Sequence, residues 1–240
     1  MTLSNMQIAD YFEFEYKIDP DSGTPLPPPC SLAYLAWTTG AEVNYHQNRF
    51  NIYGNDHSMR LLLELIEHRK VNFCPQYQCH IAIKCELANE LQEFVAGKKM
   101  GKLNKIMKIN TCSITFEGPK PGDYNFTVMI NSNSIDELVK GYRDLAEEFP
   151  AELYWYVPEE YHKRIIGVQG KTIQRIMKHY SVYVKFFNAL EFAAAGGDAY
   201  TEDNVLARTP AKNALSLEEC KKAVLEMVFQ NVRPLLVEDD

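Results

Sequence analysis

The chain has 240 residues, 46% of them apolar and 24% charged, with 12 glycines and 12 prolines; this suits one large core or several small ones and excludes disordered, collagenous and coiled-coil proteins. No apolar run approaches the roughly 18 residues that a membrane span needs, and Met1 to Lys17 lacks a basic stretch leading into an apolar one, so an intracellular protein with no membrane partner is expected. A net charge of -7 argues against coating nucleic acid by bulk electrostatics, so any such contact must be local.

In chain order, the sequence divides into three segments built on one pattern. The first, 8–75, is the faintest copy: Leu35 to Tyr45 resembles Ile106 to Phe116, and the run from Ser58 resembles the run from Ser134. In the second, 76–149, and the third, 150–233, Ile83 to Phe116 and Leu153 to Phe186 align without a gap at an offset of 70. Gly97 falls under Gly167, Leu103 under Ile173, Ile106-Met107-Lys108 under Ile176-Met177-Lys178, and Phe116 under Phe186. Farther on, Ser134 matches Ser216 at an offset of 82, which leaves about 12 extra residues for a loop around Ala193 to Asp203.

Each segment reads as strand, helix, helix, strand, strand, helix. In the third, Glu152 to Val157 is a short aromatic and β-branched run, and Pro158-Glu159-Glu160 supplies a proline and an acidic first turn for a helix. Ile173, Ile176 and Met177 recur at helical spacing up to about Tyr180, Ser181 to Phe187 alternates as a strand, and Asn204 to Thr209 is placed to pair beside it. Ser134-x-x-Glu137 and Ser216-x-x-Glu219 read as capping boxes opening the last helix of each segment. The expected fold is α+β, a tandem array of three β-α-α-β-β-α units, each a three-stranded sheet on three helices with its own modest core, the units stacking on one another.

Chemistry concentrates at Gly167-Val168-Gln169-Gly170. A turn poor in side chains lets backbone approach a phosphate closely, and the helix after it offers free N–H groups and a positive dipole end. The expectation is that amide hydrogens near Gly167 and Gly170 are free to hold a sugar-phosphate chain. Tyr161 to Leu190 carries six basic residues (Lys163, Arg164, Lys171, Arg175, Lys178, Lys185) and no acidic one; Gly97 to Lys108 carries five lysines and no acidic residue. A Gly-x-x-Gly alone is also a tight helix-helix turn, and any one lysine a solvated face, but both basic excesses centre on the turn.

The run Arg164-Ile-Ile-Gly-Val-Gln-Gly-Lys-Thr-Ile-Gln-Arg-Ile, within helix-helix-strand-strand-helix after a first strand, resembles the KH RNA-binding domain of the eukaryotic type. The array, with Asp203 to Asn213, is similar to the multi-KH proteins of fungi and the Bicaudal-C group. The resemblance implies a groove for about four single-stranded nucleotides, of RNA and messenger RNA in particular, without catalysis or cofactor. Carried over, it makes Gly167, Val168, Gln169 and Gly170 the backbone clamp with Lys171 and Arg175 beside it, and Ile165, Ile166, Ile173 and Val184 the groove wall. Lys185 joins the basic surround, and Arg208 is placed to reach a base edge. In the middle segment Gly97, Lys98, Lys99, Met100, Gly101 and Lys102 form the counterpart, with Met100 in the second glycine's place and a turn of altered shape, its lysines compensating by charge. In the first segment the place falls in Gly23-Thr-Pro-Leu-Pro-Pro-Pro-Cys30, where prolines remove N–H donors; a structural or protein-binding role is expected there. The rival for the whole chain is a protein-interaction scaffold, favoured by the negative charge and two altered loops.

Other motifs fail on spacing. Gly170-Lys171-Thr172 imitates the end of a P-loop, but position 165 is isoleucine and the preceding element a helix. Cys74, Cys79 and Cys85 with His68 and His80 match no zinc knuckle, and Cys112 aligns with Val182, so buried reduced thiols are expected. His162 and His179 flank the basic segment and read as exposed or hydrogen-bonding to RNA. Tyr154, Trp155 and Tyr156 read as core packing. No catalytic triad or carboxylate pair stands out, and no small-molecule substrate is expected.

Overall fold

The computed structural model describes residues 12–18, 29–46, 49–68, 79–118, 124–188 and 203–232, and the chain divides into two compact units, Met1–Phe149 and Pro150–Asp240. The first unit runs β1 (Phe12–Ile18), α1 (Pro29–Thr39), β2 (Glu42–His46), β3 (Arg49–Gly54) and α2 (Asp56–Glu67). It continues with β4 (Cys79–Ala88), α3 (Gln92–Ala96), α4 (Gly101–Asn110), β5 (Ser113–Glu117), β6 (Asn125–Ser132) and α5 (Ile135–Ala146). Its six strands form one sheet in the order β2-β3-β1-β4-β6-β5, and every pair is antiparallel.

The seam between the first two segments lies inside this sheet. β1 and β4 pair antiparallel from Phe12 opposite Cys85 to Ile18 opposite Cys79. Alternation along β1 sends Phe12 and Phe14, both with no exposed surface, to the helix side. Glu13 and Glu15 go to the other face, where the Lys84 ammonium lies 3.1 and 3.8 Å from their carboxylates. Ion pairs that still reach solvent, as these do through Lys84, contribute about 1 kcal/mol, whereas each fully buried phenylalanine contributes roughly 1.5–3 kcal/mol. The seam is therefore held mainly by packing: Tyr142 of α5 meets Phe12 edge-on with ring centroids 6.3 Å apart, and one continuous core spans both segments. Separate modest cores were expected. Pairing the two strands instead covers both of their free edges and buries side chains that either segment alone would leave at a rim.

Local signals place the helices. The Asn55 side chain accepts the Ser58 N–H at 3.0 Å to start α2, and Ser134 accepts from the Glu137 N–H to start α5, which is half of its predicted capping box; the Ser134 N–H donates instead to Ser132 Oγ, whose hydroxyl donates to Glu137.

The second unit runs β7 (Pro150–Trp155), α6 (Glu159–Ile166), α7 (Lys171–Tyr180), β8 (Tyr183–Phe186), β9 (Val205–Pro210) and α8 (Leu215–Val232), with sheet order β7-β9-β8. Ala151, Val157, Ile165, Val205, Ala207, Cys220 and Val224 are fully buried. The predicted capping role of Ser216 is not realised. A single 3-10 turn at Ala211–Asn213 already leads the chain into α8, so the helix begins at Leu215 and Ser216 lies within it. Cys85, Cys112 and Cys220 are buried free thiols, and burial pushes Cys220 up to about 11. The side chains of Cys30, Cys74 and Cys79, and the expected long loop as far as residue 202, lie outside the described residues.

Candidate nucleic-acid interface

The two helix-helix turns follow the same backbone path. In the third segment Gly167 closes α6 at φ 74°, ψ 177°, Gln169 sits at φ 53°, ψ 29°, Gly170 at φ 73°, ψ 8°, and Lys171 opens α7 at φ -61°, ψ -33°. In the middle segment Gly97 has φ 70°, ψ 172°, Lys99 φ 53°, ψ 37°, Met100 φ 57°, ψ 25°, and Gly101 φ -63°, ψ -33°. The expected change of shape is absent. Met100 adopts the left-handed conformation at a cost of roughly 1–2 kcal/mol, and Gly101 is the first residue of α4 rather than part of the bend. The first glycine is the demanding one: positive φ with ψ near 180° is a region essentially restricted to glycine, and a Cβ on Gly167 would lie 2.3 Å from Thr172 Oγ1.

The free amides near Gly167 and Gly170 are not those of the glycines themselves. Gly167 donates to the Lys163 carbonyl at 3.0 Å and Gly170 to the Gly167 carbonyl at 3.1 Å, while Lys171 donates to Val168. The middle turn repeats this, with Gly97 bonded to Glu93 and Met100 to Gly97, and Gly101 to Lys98. Because the first glycine leaves the helical conformation, the N–H groups of Val168 and Gln169, or of Lys98 and Lys99, begin a new helical run where no preceding carbonyl serves them. These four residues are exposed, Val168 at 80%. The capacity to bind an anion thus belongs to the residues between the glycines.

Lys163, Arg164, Lys171, Arg175, Lys98, Lys99, Lys105 and Lys108 are all exposed around the turns. Lys102 is not available in the same way: its ammonium lies 3.1 Å from Glu148 Oε2, donates to the Phe94 carbonyl at 2.9 Å and covers the Phe94 ring. Ile165, Ile173 and Val184 are buried, so of the predicted wall only Ile166 is partly exposed. In β8 and β9, Val184 and Ala207 are buried while their neighbours Lys185 and Arg208 project to the opposite face of the sheet. Arg208 Nε donates to Glu152 Oε1 across the β7–β9 pair, so the structure does not bring Arg208 into the cleft. Lys185 lies over the Phe187 ring, 4.5 Å from its centroid.

Among the aromatic candidates Trp155 is buried, while Tyr154 and Tyr156 are about half exposed. His162 is neither exposed nor near the turn's free amides: it is buried, with Nε2 2.9 Å from the Val157 carbonyl; His179 is exposed beside Tyr180. Sequence reasoning missed Asn204. Its side chain accepts the Val157 N–H at 2.9 Å and donates to the Val157 carbonyl at 2.8 Å, while its own carbonyl accepts the Phe187 N–H. It fixes the approach to α6 against the end of β8. An asparagine read as the first residue of the strand Asn204 to Thr209 carried no signal for this.

A family model described as "YLL032C fourth KH domain-containing protein" matches residues 154–228, and one described as "YLL032C fifth KH domain-like" matches residues 76–141. The chain belongs to the fungal multi-KH proteins. It is 48% identical over 201 residues to "K homology domain-containing protein 4" of Mycosarcoma maydis, covering 82% of this chain and 14% of that protein. It is 33% identical to "Meiotically up-regulated gene 60 protein" of Schizosaccharomyces pombe, covering 75% and 26%. To "KH domain-containing protein YLL032C" of Saccharomyces cerevisiae it is 31% identical, covering 60% and 17%. The chain thus spans about a quarter or less of these relatives' lengths. A solved structure titled "KH domains" aligns with 92% of this chain and 63% of its own, at 12% identity and a TM-score of 0.45.

Proposed function

We propose that this KH chain binds single-stranded RNA, messenger RNA in particular, without catalysing a reaction, through the turn between α6 and α7, with the turn between α3 and α4 as a second contact. The observation that carries this reading is that two turns of different sequence adopt one backbone path, each centred on exposed amides within a strongly basic stretch of an acidic chain. A KH groove holds about four nucleotides by this backbone clamp. The binding free energy per turn is modest, and two turns on one strand raise the affinity by effective concentration.

Replacing Val168 and Gln169 with Asp puts two carboxylates where a phosphate would sit. Both residues are exposed, so the fold is retained, and affinity for a single-stranded RNA oligomer falls tenfold or more. Unchanged affinity with intact Trp155 emission refutes the clamp. For three or four neutralised phosphates the log-log salt slope is about -2 to -3; a flat slope favours the scaffold reading instead.

A further inference from the structure

The second helices of the three segments can be aligned by the residue that ends them. Gly40 (φ 67°), Thr111 (φ 51°) and Ser181 (φ 55°) each take the left-handed conformation directly after α1, α4 and α7. Three residues back stand Trp37, Lys108 and Lys178; six residues back stand Tyr34, Lys105 and Arg175. All six are exposed. Where the second and third segments present paired cations, the first presents two aromatic rings on one helix face. Trp37 is 86% exposed and Tyr34 43%, while Leu35 and Thr39 on the opposite face are buried. The Thr39 hydroxyl donates to the Leu35 carbonyl at 2.7 Å, within that buried face. Among the described residues, the fold therefore uses the inner face of α1 and leaves its aromatic face exposed.

Charge selects the occupant. α1 contains no charged residue, and residues 1–75 hold five basic against nine acidic residues. A phosphate chain gains nothing there, whereas a basic polypeptide does. Flat exposed rings on a neutral helix suit proline rings, and a polyproline segment is already extended, so docking costs little ordering. We infer that Tyr34 and Trp37 form a docking surface for a proline-containing protein segment with basic flanks. This inference stands apart from RNA binding by the other two segments.

The test uses the full chain and two fluorescein-labelled peptides with a Pro-Leu-Pro-Pro-Leu-Pro centre, one flanked by lysines and one by glutamates, read by anisotropy. The lysine-flanked peptide binds saturably and the glutamate-flanked one more weakly. Trp37→Ala and Tyr34→Ala each weaken binding about tenfold or more, as expected of exposed aromatic anchors, while affinity for a single-stranded RNA oligomer is unchanged. Absence of peptide binding at millimolar concentration, or equal binding by wild type and Trp37→Ala, overturns the inference. So does a loss of RNA affinity in Trp37→Ala, which would make the rings a base-stacking platform.

Discussion

The two glycines of the Gly167–Gly170 turn are not equivalent, and alanine at each separates them. At Gly167 the backbone lies in a region costing about 1–3 kcal/mol for any other residue. The new Cβ would also meet Thr172 Oγ1 at 2.3 Å, its Cβ at 2.9 Å and its backbone N at 3.3 Å. Thr172 belongs to the first turn of α7, so the overlap is relieved only by shifting a helix, which adds about 1–3 kcal/mol. At Gly170 the nearest atom is Gln174 Nε2 at 3.4 Å, the end of an exposed side chain. Left-handed strain of roughly 1–2 kcal/mol is there partly offset by the smaller entropy of the unfolded chain. Gly167→Ala should thus cost about 3 kcal/mol or more, and Gly170→Ala about 1 kcal/mol, as Met100 in the matching place already suggests. Urea unfolding followed by Trp155 emission reports this unit, because Trp155 is 4% exposed whereas Trp37 is already solvated. With a slope on the order of 1 kcal/mol per molar urea, the midpoint falls by about 1 M for Gly170→Ala and about 3 M for Gly167→Ala. Equal shifts would refute the assignment of strain and overlap to the first glycine.

Two further predictions concern residues whose roles the structure separates. Lys98→Ala with Lys99→Ala should weaken RNA binding and flatten its salt slope by about one, while Lys102→Ala should leave the slope unchanged and lower stability, since its ammonium serves Glu148 and Phe94; the reverse pattern in filter binding and urea titration would sink that division. Asn204→Ala strands the Val157 N–H, while the Val157 carbonyl keeps His162 Nε2 at 2.9 Å, at a cost of about 1–3 kcal/mol, visible as faster hydrogen exchange at the Val157 amide, and unaltered protection would show that the side chain is dispensable.

Periodicity and repetition made much of the fold legible. The gapless offset of 70 carried the match of Met100 to Gly170, and the structure gives both a left-handed conformation, because the turn's path is set by the packing of the two helices and tolerates Lys99 and Met100 in succession at positive φ. The amide accounting was not legible: which N–H groups remain free depends on ψ at Gly167, a dihedral angle that sequence does not display. The facing of Arg208 and Lys185 was not legible for a related reason, since alternation tells that neighbours face opposite ways but not which face the helices cover. The shared core escaped because Phe12 and Phe14 look like the inner face of a small sheet whether or not another strand lies alongside.

The strand order of the first unit places β2 and β5, equivalent strands of two segments, at opposite margins. Five strand spacings separate them, about 24 Å. With all pairs antiparallel and the equivalent strands β1 and β4 adjacent, an approximate dyad passes through the middle of the sheet, so α1 beside β2 and α4 beside β5 lie toward its opposite ends. Under the two proposals above, a nucleic acid and a protein segment would occupy opposite margins of this sheet and need not compete for one surface.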